Sequence, residues 1–205
     1  MGEEESIDRR KARSRASLRD ALLRLAEGRD IAMITVQELS DEANVARATF
    51  YLHYANKDEL VGEVLDLLFA ELSTAGQSFV NAVASHVEAE VGTVVVNLFA
   101  LLDQRKALYR TLFRTAAGYQ LADRLQAFHE TALRELWERA DVVAEPGTAP
   151  LTFRARYIAA AARGIVDLWL SDRLESDAQH AGEWTQGFNM LVMFDRAKMP
   201  NPPSS

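Results

Sequence analysis

Apolar residues recur three and four positions apart along most of this chain, which is the period of an amphipathic α-helix. Stretches of this kind follow one another from Leu18 to Trp137, and two more follow a loop over residues 141–150 that is rich in Pro, Gly and Thr. No segment alternates apolar and polar residues as a strand does. The pattern therefore predicts an all-α fold.

Two short helices joined by a tight turn are predicted in the N-terminal quarter of the chain. Thr35 and Glu38 have the spacing of a capping box, in which each side chain accepts from the other's backbone N–H. Asn44 then stands where the chain must adopt a positive φ, which Asn tolerates better than most residues. Phe50 and Tyr54 lie four residues apart on the second helix and are expected to face inward. This is the pattern of a helix-turn-helix.

The other face of the second helix is short, mixed in chemistry and free of acidic residues; it carries Ala48, Thr49, Leu52 and His53. Thr and His can hydrogen-bond to base edges or phosphates, whereas Leu and Ala can touch thymine methyl groups. Arg47 stands at the entry to this helix, and Asn56 with Glu59 forms a second capping pattern that starts a longer helix. We therefore expect the second helix to lie in the major groove of DNA.

The run ANVARATFYLHY at residues 43–54, followed by NKDEL at residues 56–60, resembles the TetR (tetracycline repressor) family of one-component bacterial transcription regulators. The resemblance is strong over about residues 15–65 and looser beyond. It implies an N-terminal three-helix helix-turn-helix DNA-binding domain and a C-terminal helical ligand-binding and dimerisation domain. Asn44 replaces the family's usual turn glycine, and Ala46 replaces its small hydroxyl cap, at a cost of roughly 1 kcal/mol in capping.

Carried over residue by residue, the resemblance implies contacts to DNA from Gln37, Arg47, Ala48, Thr49, Tyr51, Leu52 and His53, with phosphate contacts from Thr35, Tyr51 and Lys57. The partner it implies is a double-stranded operator. The alternative reading of the same pattern is a generic helical hairpin that binds no nucleic acid.

The predicted organisation has four segments. Residues 1–8 are expected to be a disordered acidic N-terminus, and residues 9–56 to form the helix-turn-helix domain. Residues 57–196 are expected to form the regulatory and dimerisation domain. Residues 197–205, with three prolines in MPNPPSS from Met199, are expected to be a disordered tail.

The net charge of −7 is unusual for a DNA-binding protein, but its distribution is uneven. Residues 9–24 hold seven basic residues and one acid, whereas residues 61–205 hold thirteen basic and eighteen acidic residues. The first helix and its basic arm are therefore candidates to lie along the phosphate backbone. For each arginine, a solvated helix face is the competing explanation.

The last two predicted helices have the features of an assembly surface. The small residues from Ala159 to Ala162, with Gly164, would allow another helix to approach closely, and Ser176 with Gln179 forms a possible capping box for the last helix. The resemblance implies a homodimer in which both helices pair with their symmetry mates; the candidate residues are Ile158, Ala161, Ala162, Ile165, Trp184, Phe188, Leu191 and Val192. The alternative is that they belong to the core of one subunit.

A small apolar or amphipathic effector is expected from the resemblance, and the sequence permits an apolar pocket. Its candidate lining residues are Phe69, Phe99, Tyr109, Phe113, Phe128 and Trp169, with Arg110, Arg114 or Asp167 for polar contacts. Aromatic residues at helical spacing are also the ordinary components of a core. The proposed mechanism is that effector binding swings the helix after Asn56 and changes the separation of two reading helices.

Catalytic chemistry finds little support in the sequence. The chain has no cysteine, no G-x-S-x-G and no phosphate-cradling glycine loop, so we expect no enzyme activity and no cofactor. His86 and Glu90 are the nearest approach to a metal-binding pair, and a solvated surface explains them better, so no metal is expected. No secretory signal or membrane span is apparent, which predicts a cytoplasmic protein that has no membrane partner.

The class of function has one further alternative: an interaction protein of the same fold, whose helical module docks on a partner protein or co-regulator. The TetR resemblance favours a repressor released from a pseudo-palindromic operator, although the sequence does not distinguish repression from activation.

Overall fold

The computed structural model describes residues 2–84, 88–139, 143–144 and 148–193. Within these residues the chain forms α-helices, one short 3-10 helix at Ile31–Met33 and no strand, which confirms the all-α prediction. The helices are α1 Gly2–Ala26, α2 Val36–Glu42, α3 Arg47–His53, α4 Lys57–Ala84, α5 Glu88–Gln104, α6 Lys106–Leu112, α7 Ala116–Arg139, α8 Leu151–Leu170 and α9 Ala178–Met193. No helix in these ranges is long and apolar enough to cross a membrane.

Two compact units make up the fold. The N-terminal unit comprises Met1–Ala70 and Arg105–Leu121, and the C-terminal unit comprises Glu71–Gln104 and Ala122–Ser205. The helix-turn-helix was predicted to end at residue 56, but the N-terminal unit also takes in the first half of α4 and all of α6. The reason is packing: Leu60 and Leu68 of α4 and Leu108 of α6 are buried in this unit.

Helices α1, α2 and α3 form a three-helix module. Thr35 and Glu38 make the predicted capping box at the start of α2, with both reciprocal hydrogen bonds present. Asn44 has a φ of 53°, as predicted for the turn. The N–H of Val45 donates to the carbonyl of Ser40 at 2.9 Å, which closes the helix end as in a Schellman motif. The turn between α2 and α3 is therefore set by local chemistry.

Helix α1 begins at Gly2, whereas a disordered segment was predicted for residues 1–8. That prediction is wrong for Gly2 onwards. In the sequence, three glutamates follow Gly2, and acidic residues at the start of a helix favour its formation. The acidic composition that suggested disorder thus also favours a helix N-terminus.

The C-terminal unit is built around close helix packing. A Cβ atom at Gly182 of α9 would lie 2.7 Å from the Cα of Val96 in α5, so only glycine allows this approach. The rings of Phe99 and Trp169 meet edge to face, with centroids 5.4 Å apart, and the indole Nε1 of Trp169 donates to the carbonyl of Ser176 at 3.1 Å. Both rings are fully buried.

Helix α9 begins at Ala178, whereas the sequence predicted that it opens at Ser176. The carboxylate of Asp177, not the hydroxyl of Ser176, accepts from a backbone N–H in the first turn, that of His180, at 2.8 Å. Ser176 Oγ instead donates to the carbonyl of Asp177 at 3.0 Å. The predicted tail over residues 197–205 and the predicted disorder there lie outside the described residues, as does His86.

Candidate nucleic-acid interface

Helix α3 is anchored by the two aromatic residues that the sequence predicted. Phe50 is 0% exposed and Tyr54 is almost fully buried, with their ring centroids 5.6 Å apart. The helix has only seven residues and its N-cap, Ala46, makes no side-chain hydrogen bond. A helix this short is not stable alone, so its position depends on these buried rings.

A carboxylate beneath α3 holds the anchor in place. Glu63 of α4 accepts a hydrogen bond from the hydroxyl of Tyr54 at 2.9 Å, and it forms ion pairs with Arg15 at 2.7 Å and Arg19 at 2.9 Å. Burial raises the pKa of Glu63, but hydrogen bonds from these three partners outweigh it and lower the pKa overall. Burial, followed by the bond to Glu63, raises the pKa of Tyr54 to about 12.

The outward face of α3 is open to solvent. Ala48 and Leu52 are exposed, Leu52 to 80%, and Tyr51 is about half exposed. Thr49 is partly exposed beside them. The predicted orientation, with residues 50 and 54 inward and 48, 49 and 52 outward, is therefore the one the structure has.

Two long polar side chains at this surface pair with their neighbours. The guanidinium of Arg47 donates to the hydroxyl of Tyr51 at 3.3 Å and lies 5.7 Å from the centre of its ring. The amide of Gln37 on α2 donates to Asp41 at 2.8 Å. All four residues are exposed, so these contacts can be exchanged for contacts to another molecule at small cost.

His53 is turned towards α1 and is only partly exposed. Its Nε2 lies 2.7 Å from Ser14 Oγ, which also lies 3.0 and 3.1 Å from the carbonyls of Lys11 and Arg10. The hydroxyl has one proton to donate, so the tautomer of His53 decides whether Nε2 donates to Ser14 or accepts from it. Burial, followed by the positive charges of Arg15 and Lys11, lowers the pKa of His53. In this structure His53 therefore joins α3 to α1, and the base contact expected of it stays a prediction.

Thr35 and Lys57 are likewise occupied within the N-terminal unit. Thr35 Oγ1 accepts from the N–H of Glu38 and donates to its carboxylate. Lys57 Nζ donates to the carbonyls of Ile31, Ala32 and Ile34 at 2.8–2.9 Å, which uses all three of its protons. The phosphate contact expected of Lys57 conflicts with this arrangement, in which the ammonium closes the end of the 3-10 helix.

Sequence reasoning missed the carboxylate that organises this surface. Glu63 was read only as part of a long connecting helix, and Ser14 was not singled out. One signal was available, because a tyrosine placed inward needs a hydrogen-bond partner for its hydroxyl, and Tyr54 was placed inward. Ser14 offered no such signal, since it lies 39 residues from His53.

Comparison with known proteins identifies the module. Residues 18–64 match the family model described as bacterial regulatory proteins, tetR family. The helix-turn-helix module is therefore of the tetR type. The matched segment runs from the first buried leucine of α1 to Val64 of α4, and so contains α2, the Asn44 turn and α3.

Two curated proteins with similar sequences are bacterial regulators. It is 46% identical over 70 residues to the uncharacterized HTH-type transcriptional regulator YxbF of Bacillus subtilis, which covers 34% of this chain and 18% of YxbF. It is 27% identical over 139 residues to an uncharacterized HTH-type transcriptional regulator of Haemophilus influenzae, covering 66% of this chain and 63% of that protein. The chain thus spans less than two thirds of the length of either relative.

Solved structures share the fold over most of the chain. SmeT, the repressor of the Stenotrophomonas maltophilia multidrug efflux pump SmeDEF, has a TM-score of 0.67 at 17% identity, over 92% of this chain and 96% of SmeT. The SmeT–triclosan complex has a TM-score of 0.68 at 16% identity, covering 94% and 99%. A TetR regulator from Streptococcus agalactiae has a TM-score of 0.66 at 21% identity, covering 91% and 98%. The chain therefore has the fold of TetR regulators.

The six aromatic residues predicted to line an effector pocket do not fall within one unit. Phe69, Tyr109 and Phe113 belong to the N-terminal unit, and Phe99, Phe128 and Trp169 to the C-terminal unit. Tyr109 stacks on Phe113 with ring centroids 6.2 Å apart and is itself buried. Phe99 and Trp169 pack on each other as described, and Phe128 lies against Gly76. Tyr109, Phe99 and Trp169 thus have the packing of core residues.

A small apolar cavity lies in the N-terminal unit. Its volume is about 10 Å³, and its walls are apolar side chains of α1, the 3-10 helix, α4 and α6, among them Leu22, Ile31, Val64, Leu68 and Leu112. That volume is enough for about one water molecule and too small for an organic effector. None of the six predicted pocket residues lines it.

The candidate dimer residues divide into two groups. Ile158 is buried, and Ala161, Ala162 and Ile165 on α8 are partly exposed. Trp184 and Phe188 on α9 are exposed, Phe188 to 64%. Leu191 and Val192 lie in α9, but their side chains are outside the described residues. Ile158 is therefore a core residue in this structure, whereas Trp184 and Phe188 present apolar surface.

The role of Lys57 can be tested by the substitution Lys57→Met. We expect the free energy of unfolding, measured by urea denaturation without DNA, to fall by about 2 kcal/mol, because three carbonyls lose a charged donor. Lys11→Met, at an exposed position of α1, is the control and should change stability by less than about 0.5 kcal/mol. A Lys57→Met variant of unchanged stability whose DNA binding depends less steeply on salt would restore the phosphate role.

Proposed function

We propose that this chain is a ligand-responsive transcription regulator that binds a pseudo-palindromic DNA operator as a homodimer, most simply as a repressor. The observation that carries the proposal is the solvent-open face of α3, a short helix anchored from below by Phe50 and Tyr54. Such a helix can enter the major groove without any rearrangement of the module. Arg47, Thr49 and Tyr51 supply the polar contacts from the same surface, and Gln37 does so from α2.

The positive charge of α1 supports DNA binding at the same surface. Arg10, Lys11 and Arg13 are exposed on the N-terminal half of α1. This helix contacts α3 through Ser14 and His53, so its basic side chains lie beside the reading helix. They suit contacts to phosphates, which position a protein on DNA without specifying sequence. Arg15 and Arg19 share the single negative charge of Glu63, so they are less available for phosphates than Arg10, Lys11 and Arg13.

Dimerisation through α8 and α9 is the second part of the proposal. Trp184 and Phe188 expose apolar surface on α9, and the neighbouring α8 carries the small residues Ala161 and Ala162. When two copies pair about a two-fold axis, the same surface of each copy contacts the other. This pairing would place two copies of α3 on one face of DNA. Half-sites one helical turn apart, or roughly 34–36 Å, would then be read together.

The third part of the proposal is that a small apolar or amphipathic effector controls DNA binding. Support comes from the fold shared with SmeT, for which a complex with triclosan has been solved. An effector that prefers one conformer lowers operator affinity only through its difference in affinity for the two conformers. The site of binding is proposed for the C-terminal unit, because the cavity in the N-terminal unit is too small.

Specific operator binding should depend on two side chains of α3. We expect Thr49→Ala and Tyr51→Phe each to weaken binding to the chain's own upstream DNA at least about fivefold, because each loses a polar contact to DNA. Fluorescence anisotropy at several salt concentrations measures the affinity and its salt dependence. Tyr119→Phe, which removes a hydroxyl from an exposed tyrosine of α7, is the matched control.

Equal affinity of both α3 variants and the control, or no preference of the wild type over random duplex, would contradict an operator function. A protein that instead binds a partner protein through α3 would give that result.

The substitution Phe188→Glu tests the dimer surface. Because Phe188 is largely exposed in one subunit, a charge there should leave the subunit folded but disrupt a paired apolar surface. We expect a monomer by sedimentation, together with the loss of tight operator binding. Met33→Glu, at a comparably exposed position in the N-terminal unit, should remain dimeric. If Phe188→Glu sediments as Met33→Glu does, the dimer does not use this face.

The release of operator DNA by an effector is tested on the dimer–operator complex. We expect some member of a panel containing triclosan and apolar and amphipathic carboxylic acids to weaken operator binding about tenfold, which needs a difference of about 1.4 kcal/mol between conformers. The same compounds should leave binding to random duplex unchanged. Unchanged operator affinity across the panel would contradict release by compounds of this class.

A further inference from the structure

The polar groups of the interface are largely occupied by other parts of the N-terminal unit. His53 Nε2 is held by Ser14, the hydroxyl of Thr35 by Glu38, and the ammonium of Lys57 by three carbonyls. Only exposed, exchangeable contacts hold Arg47 and Gln37. On α3 itself, His53 is thus held within the unit, whereas Arg47, Thr49 and Tyr51 remain for polar contacts to DNA.

An apolar stripe occupies the centre of the same face. Ala48 and Leu52 lie one helical turn apart and are both exposed. Leu52 contributes little to the packing of the unit, since 80% of its surface is open to solvent. Because its side chain is free and lies in the middle of the face proposed to enter the groove, Leu52 is placed to make an apolar contact with a base.

The major groove offers one apolar group to such a stripe. Guanine, adenine and cytosine present only hydrogen-bonding groups there, whereas thymine adds a methyl group at C5. The N-terminal residues of a reading helix come closest to base edges, and Ala48 is the second residue of α3. Leu52 follows one turn later, within reach of an adjacent base pair.

We propose that each operator half-site contains a thymine whose 5-methyl group packs against Leu52, with Ala48 beside it. This inference rests on the proposed operator function and names the base that the function reads. Arg47 and Thr49 flank the stripe and add polar contacts. Specificity at this position then comes from burial of two apolar groups instead of from a bidentate hydrogen bond.

Deoxyuridine isolates the methyl group as the variable. It keeps the base pairing and all hydrogen-bonding groups of thymine and lacks only the 5-methyl. The experiment first selects the preferred duplex from a random library with the full-length wild-type protein. Each thymine of that duplex is then replaced singly by deoxyuridine, followed by the symmetry-related pair together, and affinity is measured by fluorescence anisotropy.

We expect one thymine position per half-site at which deoxyuridine weakens binding about fourfold, and about fifteenfold when both half-sites are changed. Leu52→Ala should bind more weakly than wild type and lose its response to deoxyuridine at that position, because the methyl then has no partner. Tyr51→Phe should keep the wild-type response. Leu52→Ala is expected to fold normally because its side chain is exposed.

The outcomes separate this inference from the function on which it rests. If no deoxyuridine substitution changes the affinity for the selected operator, the thymine contact is overturned and the regulator function still stands. A response that persists undiminished in Leu52→Ala also overturns it, since the methyl then contacts another residue. Selection that enriches no sequence overturns both.

Discussion

The carboxylate of Glu63 is the interaction on which the DNA-reading surface depends. It accepts from Tyr54 at the end of α3 and pairs with Arg15 and Arg19 of α1, so three helices meet at one group. Because α3 is only seven residues long and lacks a side-chain N-cap, packing and this carboxylate have to fix its direction. The lowered pKa of Glu63 shows that these hydrogen bonds favour its ionised form. The open face of α3 is thus a consequence of contacts made on its other side.

The parts of this surface that could be predicted are those fixed by spacing along the chain. The capping box of Thr35 and Glu38 and the positive φ of Asn44 follow from local chemistry. The inward direction of Phe50 and Tyr54 follows from the helical period. The all-α fold follows in the same way, because apolar positions repeat with that period in most of the chain.

The parts that could not be predicted depend on contacts between distant residues. Lys57 was assigned to phosphate, yet its partners begin at Ile31, 26 residues away. The ammonium group suits a carbonyl and a phosphate equally well, so its type alone does not identify its partner. The candidate pocket residues are divided between the two units, which the sequence did not indicate. Helical spacing identifies buried aromatic residues such as Tyr109 and Trp169, but not which unit buries them.

Internal ion pairs also affect how the protein would search a chromosome. Arg15 and Arg19 pair with Glu63, Arg24 with Glu42, and Arg29 with Glu38, which removes much of the positive potential that the arginines would otherwise present. Weak general attraction to phosphates shortens each visit to unrelated sequence. For a regulator of the proposed kind, fewer molecules would then be sequestered on unrelated DNA, and more would be available to the operator.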